Sequence, residues 1–226
     1  VSSMSNAIVL LSGGLDSSTC VALAKQQGHC VYALSVDYGQ RHVSELQAAK
    51  RIASYFEVTH QIVTFGLGQL GGSSLTDPKI AVPAYTGVDV IENTYVPARN
   101  TAFLSLALGW AEVVGARHIY VGATKIDYGR YPDCRPEYFQ AFEQMARLAT
   151  RCGVEGDPIQ IHTPLIDCDK AKTIQMGIAA GIDYGLTVSC YAADAYGAAC
   201  GVCDSCVLRA QAFKAAGIAD PTRYQS

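Results

Sequence analysis

NAIVLLSGGLDSSTC, residues 6–20, runs from an apolar strand through a glycine-rich turn into a helix. Ala7–Leu11 is a short apolar run suited to a buried strand, and the helix predicted from Ser17 to about Gln27 stops at Gly28. Between them lies Ser12-Gly13-Gly14-Leu15-Asp16-Ser17-Ser18. Glycines let a backbone approach an anion closely, and a helix start offers unpaired N–H groups at the positive end of its dipole. Ser12, Ser17 and Ser18 add hydroxyls. Asp16 repels a bare phosphate, so it either caps the helix or meets a metal bound to the phosphates. The Lys followed by Ser or Thr that closes the common phosphate loop is missing. Spacing alone leaves two readings open, a phosphate cradle and an ordinary tight turn with an N-cap.

Working outward, Cys30–Val36 reads as a second strand, and Ser44–Phe56 as a helix with Leu46, Ala49, Ala53 and Phe56 on one face and a Ser44/Gln47 capping box. Val58–Phe65 is a third strand. The Gly-, Ser- and Pro-rich stretch Gly66–Ala98 is long enough for a lid, a binding loop or a disordered segment. Helices follow at Thr101–Val114 (stopped by Gly115), Pro136–Arg151 and Lys170–Ala180 (stopped by Gly181), with strands at His118–Val121 and Ile159–His162. This alternation predicts an α/β fold, an open and mostly parallel Rossmann-like sheet with helices on both faces, over 4–185. Residues 186–226 are expected to form a helical, cysteine-bearing zinc-knuckle segment packed on it.

The chain has 226 residues, a net charge of −3 and a pI near 5.9, without a run of Lys or Arg. That balance argues against binding driven by a nucleic-acid backbone. No apolar run reaches the roughly 20 residues of a membrane span. Ala7–Leu11 is too short for a signal-peptide core, so a cytoplasmic protein is expected.

The 9 cysteines are unevenly placed. Cys20, Cys30, Cys134, Cys152 and Cys168 are scattered, whereas Cys190, Cys200, Cys203 and Cys206 lie close together. Four thiolates with two-residue gaps suit a tetrahedral structural zinc, with Gly197 and Gly201 supplying sharp turns. The same spacing admits an iron–sulfur cluster or a set of free thiols. The histidines show no ligand spacing and read as structural.

SGGLDSS resembles the PP-loop of the N-type ATP pyrophosphatases, enzymes that split ATP between its α- and β-phosphates. SCYAADAYGAACGVCDSCVLRAQAF (Ser189–Phe213) and GIADPTRY (Gly217–Tyr224) are similar to the C-terminus of the 7-cyano-7-deazaguanine synthase family of the queuosine pathway. VDYGQRH (Val36–His42), VPARNTAFLSLAL (Val96–Leu108) and DYGRYPDCRPEY (Asp127–Tyr138) match the same family in order, whereas Gly68–Asp89 does not match it clearly.

The resemblance implies conversion of 7-carboxy-7-deazaguanine and ammonia to the nitrile, driven by ATP with Mg²⁺, in a protein that holds Zn²⁺ on Cys190, Cys200, Cys203 and Cys206. It implies an ATP site at Leu10, Leu11, Ser12, Gly13, Gly14, Leu15, Asp16, Ser17, Ser18, Thr19, Tyr38, Gln40 and Asn100, with Asp16, Lys170 and Arg99 catalytic. Asp127, Tyr131, Asp133 and Arg135, in what reads as a loop after the fourth strand, are the implied substrate residues. A carboxylate there would accept the amidine edge of the deazaguanine, and Arg135 would steady its carboxylate. Each has a plainer reading. Asn100 or Thr101 is a candidate N-cap, Lys170 a candidate surface lysine, and the substrate set a candidate solvated loop. The resemblance also implies a homodimer acting on small molecules. No glutaminase domain is read in the sequence, so free ammonium is the expected nitrogen source, and charge and hydropathy lead to the expectation of neither nucleic acid nor membrane as partner. Two rivals remain: a tRNA-thiolating PP-loop enzyme using Cys134, and a non-catalytic adenine-nucleotide module.

Overall fold

Strands β1 (Asn6–Leu10), β2 (Cys30–Asp37), β3 (Thr59–Thr64), β4 (His118–Tyr120) and β5 (Gln160–His162) form one parallel sheet in the order β3-β2-β1-β4-β5. The structure, a computed structural model, describes residues 4–40, 44–77, 79–81 and 93–225. Arg41 and His42, together with Pro78 and residues 82–92 of the long Gly66–Ala98 stretch, lie outside the described residues. The helices are α1 (Leu15–Gln26), α2 (Ser44–Tyr55), α3 (Arg99–Val114), α4 (Lys125–Arg130), α5 (Pro136–Ala149), α6 (Arg151–Val154), α7 (Lys170–Ala179) and α8 (Asp204–Ala216).

The two-residue period of β1 divides the core. Ala7, Val9 and Leu11 pack with Val21 and Leu23 of α1, Ile52 of α2, Ile174 of α7 and Phe213 of α8. Ile8, on the other face, packs with Leu34, Leu104 and Leu108 of α3 and Phe139 and Phe142 of α5. Ala212 and Phe213 share the first of these cores, so α8 packs into the main fold. From β1 the chain winds to β2 and β3 on one side and later to β4 and β5 on the other. The winding direction reverses between β1 and β4, which opens a crevice beyond their carboxyl ends.

Several element ends differ from the expected ones, each for a local reason. Helix α1 begins at Leu15 because Gly14, extended at φ −81 and ψ 175, is its N-cap; Asp16 sits in the first turn and does not cap it. Helix α3 begins at Arg99 behind Ala98, a left-handed residue at φ 54, so Asn100 and Thr101 lie inside the helix and neither is its N-cap. The Ser44 Oγ has no hydrogen-bond partner, so the Ser44/Gln47 capping box does not form. The expected helix Pro136–Arg151 breaks at Thr150, whose side chain instead accepts the Gly153 N–H at 3.2 Å to cap α6.

At the flank of the sheet, His118 Nδ1 and His162 Nε2 lie 2.9 Å apart, His29 sits 4.6 Å from His118 by ring centroids, and His162 stacks on Tyr120. Burial first, and the neighbouring histidines second, hold His118 and His162 below the ordinary imidazole value. A lowered folded pKa means the fold favours the neutral ring. Its contribution is therefore complete above the unfolded value of about 6.5 and is lost as pH falls below it. Urea unfolding is expected to show a lower midpoint at pH 5.5 than at pH 7.5, and His162→Gln to flatten that dependence.

Candidate active site

A cleft of about 270 Å³ lies at the reversal point, a little under the roughly 300–1,000 Å³ usual for ligand pockets. Its base is Leu10 and Leu11 at the end of β1, Leu34 and Val36 of β2, and Val121–Ala123 after β4. The glycine-rich loop forms one wall. Gly13 has φ +87, and a Cβ there would fall 2.3 Å from the Glu45 carbonyl oxygen and 2.6 Å from the Ala49 nitrogen, so only glycine lets α2 press against the loop. Loop donors are held by hydroxyls through long bonds. Ser17 Oγ accepts the Ser12 N–H at 3.2 Å, Ser12 Oγ accepts the Gly14 N–H at 3.4 Å, and Ser189 Oγ accepts the Leu15 N–H at 3.3 Å. Donors at a helix start held this loosely can be taken over by an anion.

Two charged groups face each other across the loop. Lys170, the first residue of α7, donates from Nζ to Asp16 Oδ2 at 2.5 Å. Asp16 Oδ1 is buried and carries no hydrogen bond. Burial raises the Asp16 carboxyl, with Lys170 opposing. Burial also works against the Lys170 ammonium, but Asp16 and Asp127 outweigh it and its pKa rises, so the cation persists at neutral pH. On the α2 side, burial pushes Glu45 up to about 7 against the pull of Arg99.

The structure gathers Leu10, Leu11, Ser12, Gly14, Leu15, Asp16, Ser17, Tyr38, Gln40, Arg99, Asn100, Asp127, Tyr131 and Lys170 around this cleft. It places the others elsewhere. Gly13 meets α2, Ser18 is buried within α1, and Thr19 Oγ1 bonds Tyr184 Oη at 2.7 Å behind the loop. Asp133 accepts the Asn100 backbone N–H at 3.0 Å, and Asn100 Nδ2 donates to the Asp133 carbonyl at 2.9 Å, which ties α3 to the turn Pro132–Cys134. Arg135 is the exposed N-cap of α5. Asp127 is not in a loop. As N3 of α4 its Oδ2 accepts the Thr124 N–H at 2.8 Å and the Thr124 hydroxyl at 2.6 Å, a capping box spelled T-x-x-D in the sequence.

Sequence reasoning missed Glu45, Arg130, Ser189, Tyr191, Asp204 and Arg209, all of which line the cleft. Four of these come from the cysteine-rich segment, which the sequence presents only as a metal motif. The buried pair Arg130–Asp204, 3.2 Å between Nη1 and Oδ2, links that segment to α4.

The cysteine sulfurs of Cys190, Cys200, Cys203 and Cys206 lie within 4.8 Å of one another. Individual Sγ–Sγ distances are 3.9 Å for Cys190–Cys203, 4.0 Å for Cys200–Cys206 and 3.5 Å for Cys203–Cys206. A tetrahedron with metal–sulfur bonds of about 2.3 Å has edges of about 3.8 Å, so the four thiols fit a single metal ion. Backbone N–H groups of Ala192 and Cys200 both donate to the Cys190 sulfur at 3.2 Å, as suits a thiolate.

The sheet order and the loop at its reversal point define an α/β protein with a PP-loop fold. The chain belongs to the family described as queuosine biosynthesis protein QueC, whose model matches residues 6–217. It is 61% identical over 221 residues to a 7-cyano-7-deazaguanine synthase of Azoarcus sp. strain BH72, covering 97% of each chain. It is 61% identical over 226 residues to the enzyme of that name from Methylococcus capsulatus, covering 99% of this chain and 100% of the relative. Among solved structures, a 4-thiouridine synthetase in complex with RNA and bound ATP superposes with a TM-score of 0.51 at 18% identity, over 97% of this chain and 47% of that one. A predicted subunit of a tRNA methyltransferase from Methanocaldococcus jannaschii gives 0.51 at 15%, over 99% and 93%. These two likenesses bear on the fold alone.

Proposed function

We propose that this chain converts 7-carboxy-7-deazaguanine and ammonia to 7-cyano-7-deazaguanine at the expense of ATP. The observation that carries the reading is 61% identity, over 97% of both chains, to a relative bearing the name of that synthase. The chemistry explains the loop. A carboxylate does not lose oxide to ammonia at neutral pH, so its oxygen must first become a leaving group. Attack on the α-phosphate gives an acyl adenylate, and the Ser12–Ser18 donors with the Lys170 ammonium stabilise the departing pyrophosphate. Ammonia then gives the amide. A second adenylation at the amide oxygen, followed by loss of AMP and a proton, gives the nitrile.

Mg²⁺ would be held by Asp16, whose orphaned Oδ1 is an acceptor without a partner, and would neutralise phosphate charge. Zn²⁺ would be held by Cys190, Cys200, Cys203 and Cys206 in a structural role, since all four positions are filled by protein. Arg99, Tyr38, Gln40 and Asn100 belong to the nucleotide side of the cleft in this reading, and Asp127 and Tyr131 to the substrate side. In this reading free ammonium is the nitrogen source and the protein is cytoplasmic; the resemblance supports a homodimer, and the net charge of −3 supports small-molecule partners without nucleic acid.

Thiolation of tRNA is the poorer reading. Cys134, its candidate cysteine, is buried and accepts from Asn100 Nδ2 at 3.1 Å, and burial pushes its thiol up to about 12, far from a reactive thiolate. Incubation with ATP, Mg²⁺, ammonium and 7-carboxy-7-deazaguanine, followed by mass spectrometry, is expected to reveal the nitrile. ATP binding without any nitrile would instead mark a nucleotide-binding module.

A further inference from the structure

The cysteine-rich segment touches the nucleotide loop directly, and its contacts single out one hydroxyl. Val188 donates its N–H to the Gly13 carbonyl at 2.9 Å, which pins the chain beside the loop one residue before Ser189. Ser189 Oγ then accepts two hydrogen bonds, from the Leu15 N–H at 3.3 Å and from Arg209 Nη1 at 3.4 Å. Arg209 is held rigidly. Its side chain is 5% exposed, Nε donates to Asp220 Oδ1 at 3.2 Å, Nη1 to Thr187 Oγ1 at 2.7 Å and Nη2 to the Tyr184 carbonyl at 3.1 Å, and the guanidinium lies 5.0 Å from the Phe213 ring centroid.

A serine hydroxyl has one hydrogen to give and two lone pairs. Here both lone pairs are used and, among the described residues, no acceptor takes the hydrogen. Ser189 is half-buried on the cleft wall, and a Cβ on Gly14 would lie 3.7 Å from its Oγ and 3.5 Å from Ser12 Oγ, so the two hydroxyls flank Gly14. Two donors, one charged, polarise the O–H and make it a stronger donor. Because Ser189 lines the cleft beside Gly14, that hydrogen can be given to an anion seated over the loop.

We propose that Ser189 is a further pyrophosphate-binding residue, supplied from outside the glycine-rich loop, and that Arg209 is its positioning residue. The inference rests on the reading of Ser12–Ser18 as a pyrophosphate loop. It also assigns a second task to the metal motif. Cys190 follows Ser189, and Arg209 lies one turn beyond Cys206 on α8, so a filled metal site would hold the hydroxyl and its partner in register.

The test is direct binding of inorganic pyrophosphate, with Mg²⁺, to the metal-loaded full chain by calorimetry, with AMP as control. Ser189→Ala is expected to keep its metal content and melting temperature, to bind pyrophosphate about tenfold or more weakly, and to bind AMP as the wild type does. Ser189→Thr and Ser189→Val carry the same test if alanine disturbs the segment: the threonine variant keeps pyrophosphate affinity, and the nearly isosteric valine variant loses it. Equal pyrophosphate affinity in wild type, alanine and valine variants overturns the inference while leaving the proposed function standing. Wild-type protein that fails to bind pyrophosphate overturns both.

Discussion

Asp16→Asn is expected to lower nitrile-forming turnover by about 10²–10³-fold or more while the protein remains folded. Asparagine keeps the size of the aspartate and can still accept from Lys170 Nζ, now 2.5 Å from Oδ2, so the loop need not move. What it removes is the negative charge at Oδ1, the one buried carboxylate oxygen of the loop without a hydrogen bond. If that oxygen serves a phosphate-bound cation, the loss appears in turnover at saturating ATP and is only partly relieved by raising Mg²⁺. If Asp16 only anchors Lys170, the variant loses melting temperature and keeps turnover within about tenfold. Steady-state kinetics over a Mg²⁺ series, with a melting curve of each preparation, separates the two outcomes.

Removing the metal is expected to have a comparably large effect on stability. Structural zinc sites are linked to apparent folding energies of about 10–16 kcal/mol in small domains. Here α8 also contributes Phe213 and Ala212 to the main core, so part of that packing survives without the ion. A loss of only about 4 kcal/mol still lowers the melting temperature by on the order of 10 °C in a chain of this size. Strong chelation, or Cys203→Ser, is expected to produce that shift, with metal content followed by elemental analysis. An unchanged melting temperature at zero metal would mean that the four sulfurs pack as free thiols.

The fold was legible chiefly from the two strands at the centre of the sheet. Ala7–Leu11 is a continuous apolar run and Cys30–Val36 is one broken only by Ser35, each followed by a turn and an amphipathic or apolar helix, which is what a sheet covered on both faces requires. The helix starts were harder to read. Ala98 adopts a left-handed backbone that no sequence rule assigns to alanine, and the helix start just beyond it is met by the Asp133 carboxylate on the Asn100 N–H, a partner 33 positions away. Helix α4 was overlooked because DYGR reads as turn residues, although Thr124 and Asp127 spell a capping box.

The site was legible where chemistry is written in consecutive residues. Ser12–Ser18 and the four cysteines are strings with fixed spacing; Ser12, Gly14, Leu15, Asp16 and Ser17 of the first line the cleft, and the four sulfurs of the second lie within 4.8 Å of one another. The charge pairs were not legible as pairs. Lys170 meets Asp16 across 154 positions, and Arg130 meets Asp204 across 74, so each half reads locally as an ordinary polar residue. Asp133 and Arg135 share a string with Asp127 and Tyr131, yet helix geometry sends the first pair to a helix start and a solvent face.

The central claim is that the loop holds the β- and γ-phosphates as a leaving group rather than passing a phosphate on. The most direct measurement follows the phosphorus products of ATP by ³¹P NMR alongside nitrile formation. The account predicts two AMP and two pyrophosphate for each nitrile formed, with one of each accompanying the amide intermediate. ADP and inorganic phosphate in place of these products, in step with the nitrile, would contradict it.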